Sequence, residues 1–389
     1  MSGRAVRLIE EHDSDAAMAI RGFAYGHPRN DEHRSFLERN APHILGSFQD
    51  GELVSVATMW PFTAYVGGAR KPLGGLASVA TAPTARRRGH VATLLRAWFE
   101  RLRDAGVGLC AESPFDPRFY ARYGFQSVVH GHLLELPIET LGPAEAHDAR
   151  WLDPGEHAEI AAIHAAFARR YSLALTRDDG TRGGMDYATR PPGLEDQVVT
   201  ALLEDAYACV WVDREPEEPY LFVRDFAYSS PAGRRRLWSF LAGFAGQVGS
   251  VLVMLPPGEP LAALYADRYP RRMTGLQVRV VDLPLALAGL RARTEAEFVL
   301  ALRDPDCPWQ DGAFRVRLGP DGCEARPLAG AADPDVSLGP LGLAAVLFGA
   351  QDPASTLATG TAEGDLGALE ALAGVLAGHP VYMPGADHF

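Results

Sequence analysis

The 389-residue chain has only four cysteines, Cys110, Cys209, Cys307 and Cys323, scattered and without a CxxC pair. This fits the reduced thiols of a cytoplasmic protein better than a disulfide framework. No stretch reaches the roughly 18 uncharged apolar residues of a membrane span. The opening MSGRAVRLIEEHDSD lacks the apolar core of a signal peptide. The expectation is a soluble, cytoplasmic protein with no membrane partner. Basic residues are outnumbered 37 to 49 by acidic ones, for a net charge of −12. That argues against nucleic acid as a partner and permits a cationic substrate such as a polyamine. The GxGxxG spacing of a dinucleotide site and the lysine of a P-loop are both missing, which excludes those nucleotide sites. Low-complexity runs are missing too, so the 40 glycines and 29 prolines mark turns rather than disorder.

What is present is enough apolar material, 47% of residues, to build two or three cores. The most informative stretch is LASVATAPTARRRGHVA, residues 76–92. A short strand ends at Pro83, three arginines lead into Gly89, and an amphipathic helix starts near Val91. In that helix Val91, Leu94, Leu95, Trp98 and Leu102 recur at steps of three and four. The first turn of a helix presents unpaired N–H groups and a dipole that favours anions. Glycine allows close approach to the backbone, and arginines add forked donors suited to phosphate. Strand, arginine–glycine turn and helix together suit a diphosphate; a solvated basic helix start is the plainer alternative.

Arg86, Arg87, Arg88 and Gly89 resemble the cofactor motif of the GNAT superfamily of acyl-CoA-dependent N-acetyltransferases. Val91 departs from the general motif, which prefers glycine or alanine there. The APTARRRG wording is similar to the Eis-like (enhanced intracellular survival) branch, as are FYARYGF at 119–125 and the chain end itself. The resemblance implies an α+β fold: a GNAT domain at 1–145, a second at 146–283 and a sterol-carrier-like domain at 284–389.

The residue pattern accommodates this. Strands are expected at 5–9, 44–49, 53–60, 63–67, 107–111 and 128–136, with the 44–49 and 53–60 pair joined at Asp50-Gly51. Strands at 207–212 and 220–227 then lead to a second arginine triplet, Arg234 to Arg236, a helix from about Leu237 and a strand at 249–255. Leu237 replaces the glycine after that triplet, so the second copy reads as degenerate, unless the three arginines are unrelated. Beyond VVDLPLALAGL a helix at 285–291, a strand pair around Asp311-Gly312 and a helix at 366–377 are expected.

By resemblance, acetyl-CoA is the co-substrate. The backbone of Val79, Ala80 and Thr81 holds its pantetheine arm and thioester. Arg86, Arg87, Arg88, Gly89, His90, Val91, Ala92 and Ser113 complete the cofactor set. Tyr120 matches the family tyrosine and is the candidate general acid, with Tyr123 as competitor; a phenol of pKa near ~10 stays protonated at neutral pH. The resemblance assigns the general base to the α-carboxylate of Phe389, while Asp387 and His388 are alternatives, and histidine would be the natural choice from chemistry alone. His130 and His132 share a strand face without a third ligand, so no metal is expected. His157 and His164 read as solvated helix residues, and Asp31, Glu32 and Glu38 as an acidic face near the acceptor side. The expected activity is acetyl transfer to a small cationic amine, aminoglycoside- or polyamine-like, by a homo-hexamer. A protein-lysine acetyltransferase and a non-enzymatic acyl-CoA-binding protein are the alternatives.

Overall fold

The computed structural model describes residues 3–129, 131–146, 148–178, 184–215, 217–265, 275–330 and 332–387. Its frame is three sheets of seven, six and five strands. The first begins with Arg4–Leu8, Ile44–Gln49, Glu52–Val66 and Ala69–Thr81, adjacent in chain order and all antiparallel. The turn at Asp50-Gly51 sits where its sequence placed it. The stretch 63–67 is not a separate strand but the end of Glu52–Val66, which stays paired with Ala69–Thr81 throughout. Helix His90–Asp104 then lies on the sheet, burying Leu94, Leu95, Trp98, Phe99 and Leu102.

The next strands are shared between sheets. The single strand expected at 128–136 is two. Gln126–Val128 forms the edge of the first sheet, whereas His132–Pro137 pairs with Ser250–Leu255 in the second. In return Leu276–Val280 enters the first sheet between Leu109–Glu112 and Gln126–Val128. Each sheet therefore holds a strand from the other's chain segment. The exchanged strand Leu276–Val280 is buried along its whole length, so both of its faces are packed.

The second sheet centres on Ala206–Asp213, Tyr220–Tyr228 and Ser250–Leu255, with helices Ala158–Ala168 and Pro231–Ala242 against it. Tyr220–Tyr228 runs parallel to Ser250–Leu255 only from Tyr220↔Ser250 to Val223↔Val253, and then the two part. The chain's own C-terminal segment lies at that gap. Tyr382 donates to Met254 O at 3.0 Å, and Asp387 takes Arg177 Nε at 2.7 Å and Leu175 N at 3.1 Å. Arg177 also grips Asp225 with both terminal nitrogens, at 2.5 and 2.9 Å. His164, expected to be solvated, is buried in the same cluster, 2.9 Å from Leu175 O and 3.3 Å from Tyr207 Oη. Burial lowers its pKa to about 3, so the ring is neutral.

The third sheet runs Glu324–Pro327, Gly312–Leu318, Ala296–Leu302, Val336–Leu338, Ala362–Gly364, covered by Pro340–Leu347, Pro353–Ala358 and Leu366–Gly374. Ala296–Leu302 and Gly312–Leu318 form the expected pair, but a 3-10 turn at Pro308–Gln310 joins them, not a tight hairpin. The entry helix is Leu283–Leu287, capped by Asp282. One apolar cluster unites the first and third sheets, from Phe62, Leu73 and Val278 to Phe298 and Leu343. Among the described residues no helix is long and apolar enough to cross a membrane.

Candidate active site

The strand Ala69–Thr81 pairs in parallel with Leu109–Glu112 through only three residues, Gly74 to Leu76, the last opposite Glu112. Beyond Leu76 the two strands diverge. A bulge on the other side, where Ser78 takes φ +51°, bends the strand further. The backbone of residues 77–81 thus has no strand partner on its fork side. Val79 O accepts the Tyr25 hydroxyl at 2.6 Å, and Ser55 Oγ bonds Ala80 O at 2.8 Å. An open run of backbone donors and acceptors between splayed strands suits an extended, amide-bearing chain.

At the far end of that strand Pro83–Ala85 makes one 3-10 turn, and Arg86 to Arg88 follow exposed. Gly89 caps helix His90–Asp104 with φ +81° and no side-chain cap, so the first-turn N–H groups face outward unclaimed by a side chain. Among the described residues no carboxylate pairs with Arg86, Arg87 or Arg88; Arg86 lies over the Phe23 ring at 5.5 Å. Arg4 instead donates to Arg88 O at 2.6 Å, fixing the loop. His90 turns inward, 2.9 Å from Ser47 Oγ, and burial with Arg4 and Arg88 nearby lowers its pKa. It serves the helix start from inside, while Val91 and Ala92 are half-buried.

Tyr120 sits on the short helix Pro117–Ala121, 3% exposed, amid Phe115, Phe119 and Phe125 rings at 5.7, 4.9 and 6.0 Å. Burial, and the charge of Glu112, push its phenol well above the ordinary range, so it is protonated at every working pH. Tyr123 packs against Phe119 and Arg122, and its carbonyl accepts from Arg279. The segment's shape depends on Gly124. Its φ is +79°, and a β-carbon there would collide with the Arg279 guanidinium. Ser113 is half-buried just past Glu112. Phe23 and Phe115 stand 63% and 73% exposed at the rim. Among the described residues no cluster of three histidine, cysteine or acidic side chains could hold a metal.

The sequence matches an acetyltransferase (GNAT) domain over residues 5–128, a second over 169–280, and a sterol carrier protein domain over 283–384. N-acetyltransferase Eis of Mycobacterium tuberculosis is 26% identical over 304 residues, covering 74% of this chain and 73% of that protein. The chain is an Eis-like GNAT N-acetyltransferase. An uncharacterized N-acetyltransferase of Streptomyces griseus is 27% identical over 361 residues, covering 84% of this chain and 85% of its own. The fold is shared with a GCN5-related N-acetyltransferase from Kribbella flavida (24% identity, TM-score 0.82, 100% of this chain and 99% of that one). It is shared also with Eis1 from Mycobacterium abscessus (19% identity, TM-score 0.79, 98% of this chain and 99% of that one).

In this Eis-like acetyltransferase the second arginine triplet is built differently from the first. The helix begins at Pro231, not near Leu237, so Arg234 to Arg236 lie inside it. Ser230 caps that start by accepting from Gly233 N at 3.0 Å. Arg234 Nε reaches Glu259 at 3.0 Å, and Arg236 pairs with Asp205 at 2.7 Å and Glu204 at 2.8 Å. Carboxylates thus already claim two of these arginines, Arg234 and Arg236. At the chain end, Asp387 is consumed by Arg177 and Leu175 N, which removes it as a free base, and burial raises its carboxyl to about 6. Phe389 and His388 lie outside the described residues, as does His130; His132 lies in the strand His132–Pro137. Two residues near Tyr120 escaped the sequence reading, Tyr25 and Glu112. The only local signal for Glu112 was an ionisable residue ending the apolar run LCAE.

Proposed function

We propose that the first forked sheet of this acetyltransferase binds acetyl-CoA and transfers its acetyl group directly to the amine of a small cationic acceptor, aminoglycoside- or polyamine-like. The observation that carries this is the juxtaposition of the fork at 77–81, the uncapped helix start at Gly89 and the buried phenol of Tyr120. Arg86, Arg87, Arg88 and Gly89, with the N–H groups of His90, Val91 and Ala92, would hold the diphosphate. Val79, Ala80 and Thr81 would pair with the pantetheine amides, and Ser113 would line the same channel. Acetyl-CoA supplies an activated acyl group and a thiolate leaving group. Tyr120, kept neutral by burial, donates the proton that the thiolate takes up. The α-carboxylate of Phe389 receives the amine's proton, a role for which desolvation would raise its otherwise weak basicity. The reading carries with it, by family resemblance, a cytoplasmic homo-hexamer.

The test is release of free CoA thiol from acetyl-CoA with spermidine, kanamycin or a lysine peptide as acceptor. Turnover with either small amine and little with the peptide is the expected result; the reverse would make it a protein-lysine acetyltransferase. Tyr120→Phe should cut kcat by about 10²-fold or more, and Tyr123→Phe far less. One residue appended after Phe389 blocks the carboxylate as an amide and should abolish most turnover while acetyl-CoA still binds. Full activity in that extended chain would return the base to another group.

A further inference from the structure

Glu112 stands where the fork opens. It is the last residue of Leu109–Glu112, opposite Leu76 on one side and Gln277 of the exchanged strand on the other. Side chains alternate along a strand, so Glu112 shares a face with Cys110. Cys110 belongs to the apolar cluster that also contains Leu76, Tyr120 and Phe125. Only 2% of Glu112 is exposed, and its Oε1 has no hydrogen-bond partner. Gln277 beside it spends its amide N–H groups on Pro117 O, Phe125 O and Ser127 Oγ, bracing the segment that carries Tyr120. A buried carboxyl with one oxygen unbonded and no cation paired to it among the described residues is a costly arrangement, retained where the group has work to do.

Few charged or titratable groups face it. Tyr120 lies on the short helix and Tyr25 at the end of Ser14–Tyr25, and the Tyr120 phenol feels the charge of both Glu112 and Tyr25. Cys110 lies on its own strand. Arg279 on the exchanged strand is engaged with Asp304 at 2.7 Å and Cys307 at 3.0 Å, and Arg21 donates to Thr58 Oγ1 at 3.2 Å. Burial alone raises the Glu112 carboxyl to about 8, so it is an acid at neutral pH.

We propose that Glu112 is a proton relay behind Tyr120, its carboxyl restoring to the phenol the proton that Tyr120 gives to the departing thiolate. The inference rests on Tyr120 being the general acid. The protons balance in two transfers. The Tyr120 O–H bond breaks as the thiol S–H forms; the Glu112 O–H bond then breaks as the Tyr120 O–H reforms. The proton that the amine gives up to the Phe389 carboxylate passes to solvent, and a proton from solvent recharges the Glu112 carboxylate once the CoA thiol has left the fork. A relay is needed because a phenolate is poorly tolerated in this apolar setting. A carboxyl titrating near the working pH is suited to supplying the proton.

Glu112→Gln keeps the shape and cannot deliver a proton. With whichever of spermidine, kanamycin or lysine peptide turns over fastest, kcat should fall by about tenfold or more, with KM for acetyl-CoA unchanged. The wild-type decline in kcat above pH about 8, where the relay is ionised, should disappear in the variant. Tyr120→Phe with Glu112→Gln should be no slower than Tyr120→Phe alone, because both act on one transfer. Infrared difference spectra should show a protonated carboxyl at pH 7 that is absent from Glu112→Gln. No such band, or a Gln variant with wild-type kcat and pH profile, overturns the relay. If Tyr120→Phe is impaired while Glu112→Gln is not, the relay alone falls. If Tyr120→Phe loses nothing, the acid assignment falls and the relay with it.

Discussion

Keeping an ionisable carboxyl buried costs folding free energy in a defined pH window, and Glu112 makes that cost measurable. Its folded pKa of about 8 lies above the ordinary 4.5, so its contribution is most favourable below 4.5. It declines as pH rises toward 8, because the unfolded chain releases a proton that the folded chain keeps. Glu112→Gln removes this penalty. The variant should match wild type in thermal stability below pH about 4.5 and exceed it increasingly up to about 8. The ceiling at pH 7 is about 3 kcal/mol, reduced by whatever the unpaired amide itself costs. Melting curves across pH check this, and equal stability at all pH values would contradict the burial argument. Tyr120 was legible from the aromatic–tyrosine–glycine segment around it. Glu112 was not, because its character comes from a distant strand that turns away just past the Leu76–Glu112 pairing, which the sequence around Glu112 does not record.

The two arginine triplets show how similar wording gives different elements. In the first, Gly89 places the helix start after the arginines; in the second, Ser230 and Pro231 start the helix before them. Serine at the cap and proline at the first helical position are the ordinary signals of a helix start. They were legible at Ser230-Pro231, but the triplet drew the boundary towards Leu237. Joint replacement of Arg87 and Arg88 by alanine, or Gly89→Asp, should weaken acetyl-CoA binding by several kcal/mol, on the order of two charge-assisted contacts. Replacing Arg235 and Arg236 should leave binding nearly intact, since Arg236 is already paired with Asp205. Calorimetry giving equal losses at both sites would undo the distinction. Strands and helices with a strong local pattern, such as Ile44–Gln49 and His90–Asp104, emerged close to their expected bounds. Gln126–Val128 and His132–Pro137 did not, because sheet membership is decided by partners more than a hundred residues away.

At the scale of the whole molecule, the second domain supplies the seat of the tail. Its parted strands receive Tyr382 and Asp387, and Arg177 joins Asp387 to Asp225 across the gap. Asp387→Asn leaves the Arg177–Asp225 pair intact and removes one buried charge contact. Amide exchange at Leu175 and at residues 380–387 should quicken, consistent with a local loss of about 1–3 kcal/mol. Turnover should fall while acetyl-CoA affinity stays, since the fork proposed to hold acetyl-CoA lies in the other sheet. Unchanged exchange would show that the cluster does not hold the tail. The strand exchange has a consequence for how the chain is made. As it leaves the ribosome, the first sheet reaches Val128 with a gap beside Glu112 that only Leu276–Val280 can fill, so two unpaired edges must wait through the synthesis of the entire second domain. Such edges are templates for pairing with other chains. The cell therefore faces its greatest risk of aggregation with this protein during those intervening residues, and a shortened chain ending before residue 276 would never leave that state.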